Sequence, residues 1–175
     1  MSASTDTCMT DITQWTAALH HPAVRDRVAA AAALGKSGNP AAAVHLIHAL
    51  SDPHPRVRRE CIQALGRLGD SDAVPPLLAM LADSDVEMRI AGIAALGMIR
   101  DPRAIPALIS CLKDSDDRAR IGAAEVLGKL GNPRAIGQLE ALAGDPFSGV
   151  REAAAAAIAR IRKKHDHCGR SPVSR

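Results

Sequence analysis

The feature that most constrains this chain is an internal period of 31 residues. An aliphatic residue recurs at this spacing five times, at Leu34, Leu65, Leu96, Leu127 and Ile158. A glycine follows the leucine in four copies, at Gly35, Gly66, Gly97 and Gly128. Arginine and aspartate recur at the same spacing, at Arg27, Arg58, Arg89, Arg120 and Arg151, and at Asp52, Asp83, Asp114 and Asp145. This period predicts one structural unit repeated about five times without insertion, as in stacked helical repeats.

Each unit is predicted to contain two helices. In the copy over residues 70–100, the first helix should run from about Ala73 to Ala82 and the second from about Val86 to Ile99. An Asp-Ser-Asp sequence precedes each helix, and aspartate is a favoured N-cap residue. We expect the glycines after the repeated leucine to end the second helices. Because neither helix can bury its apolar side alone, neighbouring pairs should stack into one continuous core.

The composition favours an all-helical, intracellular protein. The chain has one Trp, one Phe and no Tyr, so its core must consist of Leu, Ile, Val and the strong helix former Ala. No run of 18 apolar residues predicts a membrane span, and the N-terminus lacks the pattern of a secretory signal. The cysteines show no metal-ligand or disulfide spacing, at Cys8, Cys61, Cys111 and Cys168. Together these features predict a cytoplasmic protein with reduced thiols.

The basic charge of the chain is confined to its C-terminal end. Residues 160–175 carry six basic groups and one acidic group, a net charge of +5, whereas the preceding 159 residues carry 16 basic and 18 acidic groups, a net charge of −2. A body that is not basic and has almost no aromatic residues argues against nucleic-acid binding. We predict a repeat domain over residues 10–164, with disordered tails at residues 1–9 and 165–175, the second of them basic.

Two stretches identify the type of repeat. The segments VRRECIQALGRLGD from Val57 and RARIGAAEVLGKLGNPRAIGQL from Arg118 resemble the short HEAT-like repeats named after phycobilisome lyases. The resemblance covers residues 10–163. It implies an all-α fold, a right-handed α-solenoid of about five two-helix HEAT-like repeats, in which the second helix of each pair lines the concave face. It also implies that the turn aspartates and the arginines that follow them form a ladder between repeats.

The Arg/Asp ladder has a structural interpretation. Arg89 lies seven positions before Leu96 and therefore projects close to the buried side of its helix. A guanidinium group there needs acceptors, which the paired oxygens of an aspartate supply. We interpret the repeated arginines and aspartates as a brace within the fold, not as catalytic or nucleic-acid-binding residues.

No residue pattern predicts catalysis or a bound cofactor. His45 and His48 lie three positions apart with His54 and Cys61 nearby, but the next repeat has Pro, Ala and Gly at the positions equivalent to His45, His48 and Cys61. The His-Asp-His-Cys segment at residues 165–168 could bind zinc or copper adventitiously. We predict no catalytic residue, no cofactor and no stoichiometric metal, and we favour a protein that is not an enzyme.

One face of the second helices predicts a binding groove. Residues six and two positions before the repeated leucine, and two after it, share a face that points away from that leucine. In the third repeat this face is apolar, and Ile121 extends it into the fourth, so that the predicted set is Ile90, Ala94, Met98 and Ile121. Basic residues flank it along one edge, at Lys36, Arg67, Lys129 and Arg160. An apolar centre with a charged rim is typical of a protein-binding site, although curvature could instead pack these side chains against neighbouring helices.

These observations predict a non-catalytic scaffold or adaptor that binds another protein in its concave groove. The occupant should be an amphipathic or extended segment with some acidic residues. The alternative, which the resemblance implies, is a subunit of a bilin (chromophore) lyase or another enzyme-associated HEAT-repeat subunit. Such lyases work with a partner subunit, and no residue of this chain matches a catalytic motif.

Overall fold

The computed structural model describes residues 12–168, and side chains over residues 12–165; this part of the chain consists of helices joined by turns. In chain order the helices are α1 (residues 12–18), α2 (Val24–Lys36), α3 (Ala42–Ala49), α4 (Pro55–Leu68), α5 (Val74–Met80), α6 (Val86–Ile99), α7 (Ile105–Cys111), α8 (Asp117–Leu130), α9 (Ile136–Glu140) and α10 (Ser148–Cys168). Single 3-10 turns precede α5, α7 and α9, at Ser71–Ala73, Pro102–Ala104 and Pro133–Ala135. Another 3-10 turn follows α9 at Ala141–Gly144.

The helices form five consecutive pairs, which confirms the predicted all-helical repeat architecture. The second helix of the third repeat, α6, has the predicted bounds. Helix α5 is shorter than predicted, since it begins one residue later, after the 3-10 turn Ser71–Ala73, and ends two residues earlier, at Met80. The aspartates before the second helices act as caps. The Asp85 carboxylate accepts a hydrogen bond from the Glu87 N–H at 2.9 Å, and Asp116 accepts one from the Arg118 N–H at 2.9 Å.

One apolar core runs through all the repeats. The second helices pack on one another in the order α2, α4, α6, α8 and α10, and α3, α5, α7 and α9 each pack on the second helix of their own pair. The repeated leucines from Leu34 to Leu127 have no solvent exposure, and the buried cluster extends from Leu19 to Ile161. Full burial of such a side chain contributes about 1.5–3 kcal/mol. The core therefore fixes each second helix relative to the next.

The glycines after the repeated leucines do not end the second helices, so that prediction was wrong. The helices continue for one or two residues beyond them. Instead, these glycines lie where adjacent second helices approach closely. A Cβ atom on Gly35 would lie 2.6 Å from the Cα of Ala64, and one on Gly128 would lie 2.8 Å from the Cα of Ala157. The absence of a side chain lets the two backbones touch.

The C-terminal helix extends beyond the predicted domain boundary at residue 164. Helix α10 spans Ser148–Cys168 and so includes residues 165–168, whereas the tail predicted from residue 165 onward stays a prediction. Lys164 Nζ donates to the Leu130 carbonyl at 3.0 Å, and His165 Nε2 lies 3.1 Å from the Gly131 carbonyl oxygen. These contacts attach α10 to the end of α8. The predicted tail at residues 1–9, and residues 169–175 of the tail predicted over residues 165–175, lie outside the described residues. In the described part, no helix combines the length and apolar character that crossing a membrane requires.

Candidate functional site

The surfaces of α4, α6 and α8 that point away from the first helices form an open groove across three repeats. Its volume is about 650 Å³. The residues that line it are Gly66, Arg67, Ile90, Ile93, Ala94, Gly97, Met98, Arg100, Gly122, Glu125, Val126 and Lys129. The groove therefore has an apolar floor, which α6 and α8 supply, and a charged rim.

The structure brings most of the predicted binding residues together. Five of them line the groove, namely Ile90, Ala94, Met98, Arg67 and Lys129. Three do not. Ile121 faces the junction with α10, since a Cβ atom on Gly149 would lie 3.3 Å from its Cδ1 atom, while Lys36 and Arg160 are exposed on α2 and α10. Their roles in binding stay predictions.

The floor of the groove is only partly free. The Met98 side chain is 47% exposed, and Ala94 is also exposed. Ile90 is half-buried and packs against the core, so the alternative of intramolecular packing applies to it in part. On the α4 side, Ile90, Ala94 and Met98 also border a second depression of about 380 Å³. Met98 and Ala94 are therefore the apolar residues that are open to a partner.

The rim of the groove is cationic. Three of its lining residues are basic and one is acidic, which gives a local net charge of +2 (3 − 1). Arg67 donates to Glu60 Oε1 at 3.1 Å and to Gln63 Oε1 at 3.3 Å. Among the described residues, Arg100 and Lys129 have no side-chain partner. Their charges are available to an acidic group.

Arg100 is a groove residue that the sequence reasoning missed. It caps α6 in the left-handed backbone region, with φ of 61° and ψ of 26°. The equivalent positions in three other repeats carry glycine with positive φ, at Gly38, Gly69 and Gly131. The sequence itself therefore contains a signal for Arg100, since it stands where three of the other four repeats carry glycine.

Three of the repeated arginines form ion pairs between repeats. Each guanidinium makes two hydrogen bonds to the turn aspartate of the next repeat, at 2.7 and 3.0 Å for Arg27–Asp52, 2.8 and 2.7 Å for Arg89–Asp114, and 2.8 and 3.1 Å for Arg120–Asp145. These side chains are at most 13% exposed. The third nitrogen donates to backbone carbonyls of its own turn, as Arg89 Nη1 does to Asp83 at 3.0 Å. The geometry suits a structural brace.

The ladder is interrupted at the second repeat. Arg58 Nη1 donates to the carbonyls of Asp52 and Pro53 at 2.9 and 3.2 Å, but among the described contacts no ion pair joins Arg58 to Asp83. Arg151, at the end of the row, makes the same kind of carbonyl contacts and has no turn aspartate after it. The ladder residues thus form three inter-repeat ion pairs, not four.

The ion pairs shift the acidity of their aspartates. Hydrogen bonds from Arg89 lower the pKa of Asp114, and those from Arg120 lower the pKa of Asp145. Burial alone would raise the pKa of Asp52, but hydrogen bonds from Arg27 and from the backbone lower it below its ordinary value. All three carboxylates are therefore ionised at neutral pH.

The cysteines and histidines do not form a reactive site in the described part of the chain. Burial raises the pKa of Cys61 to about 12 and that of Cys111 to about 11, so both thiols are protonated and poor nucleophiles at neutral pH. His45 and His48 are exposed, and His54 caps α4. No group of three or more His, Cys, Asp or Glu side chains within residues 12–165 could hold a metal ion. The expectation that the protein binds no metal stays a prediction.

The chain is similar to a subunit of a known lyase. A chain in the complex of CpcE and CpcF of phycocyanin lyase from Nostoc sp. PCC7120 is 30% identical to it, with a TM-score of 0.76. The similarity covers 89% of this chain but only 66% of the length of that one. No curated protein matches the chain.

Two further structures show the fold alone. The Escherichia coli protein YibA is 23% identical, with a TM-score of 0.68 over 91% of this chain and 57% of that one. A designed armadillo repeat protein in complex with the peptide (KR)4 is 16% identical, with a TM-score of 0.68 over 91% of this chain and 87% of that one. A model of HEAT repeats matches residues 12–91 and 74–159, which is more than half of the sequence. This chain therefore belongs to the HEAT-repeat family.

Proposed function

We propose that this protein is a non-catalytic scaffold or adaptor that binds a segment of a partner protein in the groove between α4, α6 and α8. The observation that carries the proposal is an exposed apolar centre with a cationic rim. Met98 and Ala94 are open to water in the middle of the groove, next to the basic residues Arg67, Arg100 and Lys129. Apolar centres with polar rims are typical of protein-binding surfaces.

The apolar centre and the charged rim of the groove are expected to contribute to binding in different ways. Complete burial of a methionine side chain contributes about 1.5–3 kcal/mol, and Met98 is 47% exposed, so covering it contributes about 1 kcal/mol. Its flexible thioether side chain adapts to the shape of a partner. The rim charges act mainly on the rate and specificity of association. Met98 is therefore the residue whose change should affect affinity most.

The proposal can be tested with two matched variants. Met98 and Val44 are both exposed apolar residues, at 47% and 51%, but Val44 lies on the first helix α3, outside the groove. The wild type, Met98→Glu and Val44→Glu would each be used to capture proteins from an extract of the source organism, followed by mass spectrometry. We expect one partner that the wild type and Val44→Glu retain and that Met98→Glu loses.

Two results would contradict the proposal. If Met98→Glu retains the partner, the partner binds another surface. If Met98→Glu unfolds while Val44→Glu melts like the wild type, Met98 belongs to the core and the groove is not a free surface. Melting curves of both variants are therefore part of the experiment.

A second candidate function is a lyase-like subunit. The similarity to a chain of the CpcE and CpcF complex favours it, at 30% identity. In this case the protein would act with a second subunit on a bilin chromophore. Incubation with a bilin and a candidate second subunit, followed by absorbance, separates the functions: a bilin spectrum that depends on this protein supports the lyase, and an unchanged spectrum supports the scaffold.

A further inference from the structure

Arg100 has a backbone conformation that three other repeats reserve for glycine. Its φ of 61° is close to the values of 65°, 72° and 75° at the equivalent glycines. A residue with a Cβ atom is unfavourable there, and such residues concentrate at functional sites. Arg100 also lines the groove, where its side chain adds a positive charge.

Arg100 supplies a charge that the third repeat otherwise lacks. Two positions after the repeated leucine the other repeats carry a basic residue, but the third carries Met98. Arg100 lies two residues further along and lines the same groove as Arg67 and Lys129. Each of the five repeats therefore contributes one cation to what we call the cationic edge, which consists of Lys36, Arg67, Arg100, Lys129 and Arg160.

The spacing of the cationic edge follows from helix packing. Each cation is on or next to a successive second helix, and packed helices lie about 8–10 Å apart. An extended segment in the polyproline II conformation advances about 3.1 Å per residue with three residues per turn, so side chains three residues apart lie about 9 Å apart on the same side. A carboxylate at every third residue of such a segment would therefore meet one cation in each repeat.

The length of the groove sets the length of its occupant. The distance from α4 to α8 is two helix spacings, about 18 Å, which about six residues in the polyproline II conformation cover.

Resting on the function proposed above, we propose that the groove binds an extended segment of a partner protein, in the polyproline II conformation, with an acidic side chain at every third residue. The central carboxylate pairs with Arg100, and the carboxylates on either side of it pair with Arg67 and Lys129. Apolar side chains between the acidic ones contact Met98 and Ala94. Arg100 and Lys129 lack other side-chain partners in the described part of the chain, so they contribute most to the charge recognition.

The test uses three fluorescent nine-residue peptides. The first has glutamate at positions one, four and seven with valine and serine between, the second has the same composition with the glutamates adjacent, and the third has lysine in place of glutamate. We expect the spaced peptide to bind about fivefold more tightly than the adjacent one, and the lysine peptide not to bind. Arg100→Gly should weaken the spaced peptide about three- to fivefold, the size expected for one exposed ion pair.

Matched variants separate charge from folding. Arg100→Gly introduces the residue that three other repeats have at this position, so the variant should fold, and Arg100→Lys should keep most of the affinity. Equal binding of spaced and adjacent peptides, or no effect of Arg100→Gly, would overturn the spacing proposal. Tighter binding of a helical peptide with glutamate at every seventh residue would overturn the extended occupant. If no peptide binds while partner capture depends on Met98, this inference fails and the proposed function stands; if capture does not depend on Met98, the proposed function fails.

Discussion

At the scale of single residues, the ladder shows how a charge is kept inside a helical stack. Arg89 makes two hydrogen bonds to Asp114 and two to backbone carbonyls, and Asp114 also accepts from the Asp116 N–H at 2.9 Å. A partly buried ion pair is stable only when such additional hydrogen bonds satisfy both groups. The pair therefore holds the third repeat against the fourth. The stability that it contributes depends on the carboxylate of Asp114.

The first prediction compares two arginines of the ladder. Removing one partner of a buried pair costs about 3–5 kcal/mol. Because the Arg89 side chain is 13% exposed, we expect Arg89→Ala to cost less, about 2–4 kcal/mol. Arg58→Ala, the control, loses only two carbonyl contacts and should cost about 1 kcal/mol. Urea melts measure both, and equal midpoints would show that the carboxylate adds nothing.

The second prediction concerns pH. The Arg89 guanidinium lowers the pKa of Asp114 in the folded protein, so the pair stabilises the fold fully above the unfolded pKa of about 3.9. That stability is lost as the pH falls from there through the lower folded pKa. Asp114→Asn should therefore be less stable than the wild type at pH 7 but lose less stability between pH 5 and pH 2. Parallel pH curves from urea melts would contradict this.

The third prediction concerns the backbone at Arg100. Replacing it with glycine removes an unfavourable left-handed residue but adds entropy to the unfolded chain, so Arg100→Gly should stabilise by about 0.5–1 kcal/mol. The reverse change, Gly69→Arg, should destabilise by a similar amount. A Cβ atom on Gly69 meets nothing within 4 Å, so the positive φ is the only feature that disfavours a side chain there. Thermal melts check both. A destabilised Arg100→Gly would mean that the side chain contributes contacts to the fold.

At the scale of the elements, the distance between second helices depends on the glycines inside them. A Cβ atom on Gly35 would lie 2.6 Å from the backbone of Ala64, whereas one on Gly137, in α9, meets nothing within 4 Å. We expect Gly35→Ala to destabilise by about 1–3 kcal/mol through overpacking. Gly137→Ala should stabilise by up to about 1 kcal/mol through helix propensity. If both substitutions changed the stability measured in denaturant melts in the same direction, close approach of the helices would not be the role of Gly35.

The sequence predicted the helices well because their signals are local. The bounds of α6 follow from the turn aspartates and the apolar period, and they agree with the structure. The roles of the glycines were not predictable in this way, since a glycine at a helix end and one at a helix contact look alike in a sequence. Long-range geometry also decides that Arg58 lacks the partner that Arg89 has, and that Ile90 packs partly against the core.

The groove was predictable in its centre but not at its edges. Met98 and Ala94 could be identified because their face points away from the repeated leucine. Ile121 has the same register, yet the start of α10 lies against it. Arg100 was missed because the prediction followed one register position, whereas the left-handed cap brings a residue from another position to the groove. Three-dimensional neighbours, not periodicity, determine these differences.

At the scale of the whole molecule, the fold is a row in which each repeat contacts mainly its neighbours. The second helices pack in sequence from α2 to α10, and the core is continuous. In such a row, stability is approximately a sum of repeat and interface contributions. The structure should therefore tolerate the loss of one complete repeat much better than the loss of half a repeat.

The last prediction tests this additivity. Deleting residues 70–100 joins Gly69 to Asp101, the equivalent of Asp70, and lets Gly66 face Val126 as Gly97 does now. We expect the shortened chain to fold as a helical protein, with the dependence of unfolding free energy on urea reduced by roughly a fifth, because less surface is buried. It should bind no partner in the groove, since Met98 and Arg100 are removed.

The control is a deletion of half the period, residues 70–84, which removes α5 and leaves α6 without the first helix that packs on it. This variant exposes apolar surface of α6 and puts the following helices out of register, so we expect a broad, non-cooperative urea transition. Circular dichroism and urea melts distinguish the two chains. If both deletions unfold alike, the repeats do not act as interchangeable units. If the full-period deletion folds and still binds the partner, the partner does not depend on α6, and the groove is not its site.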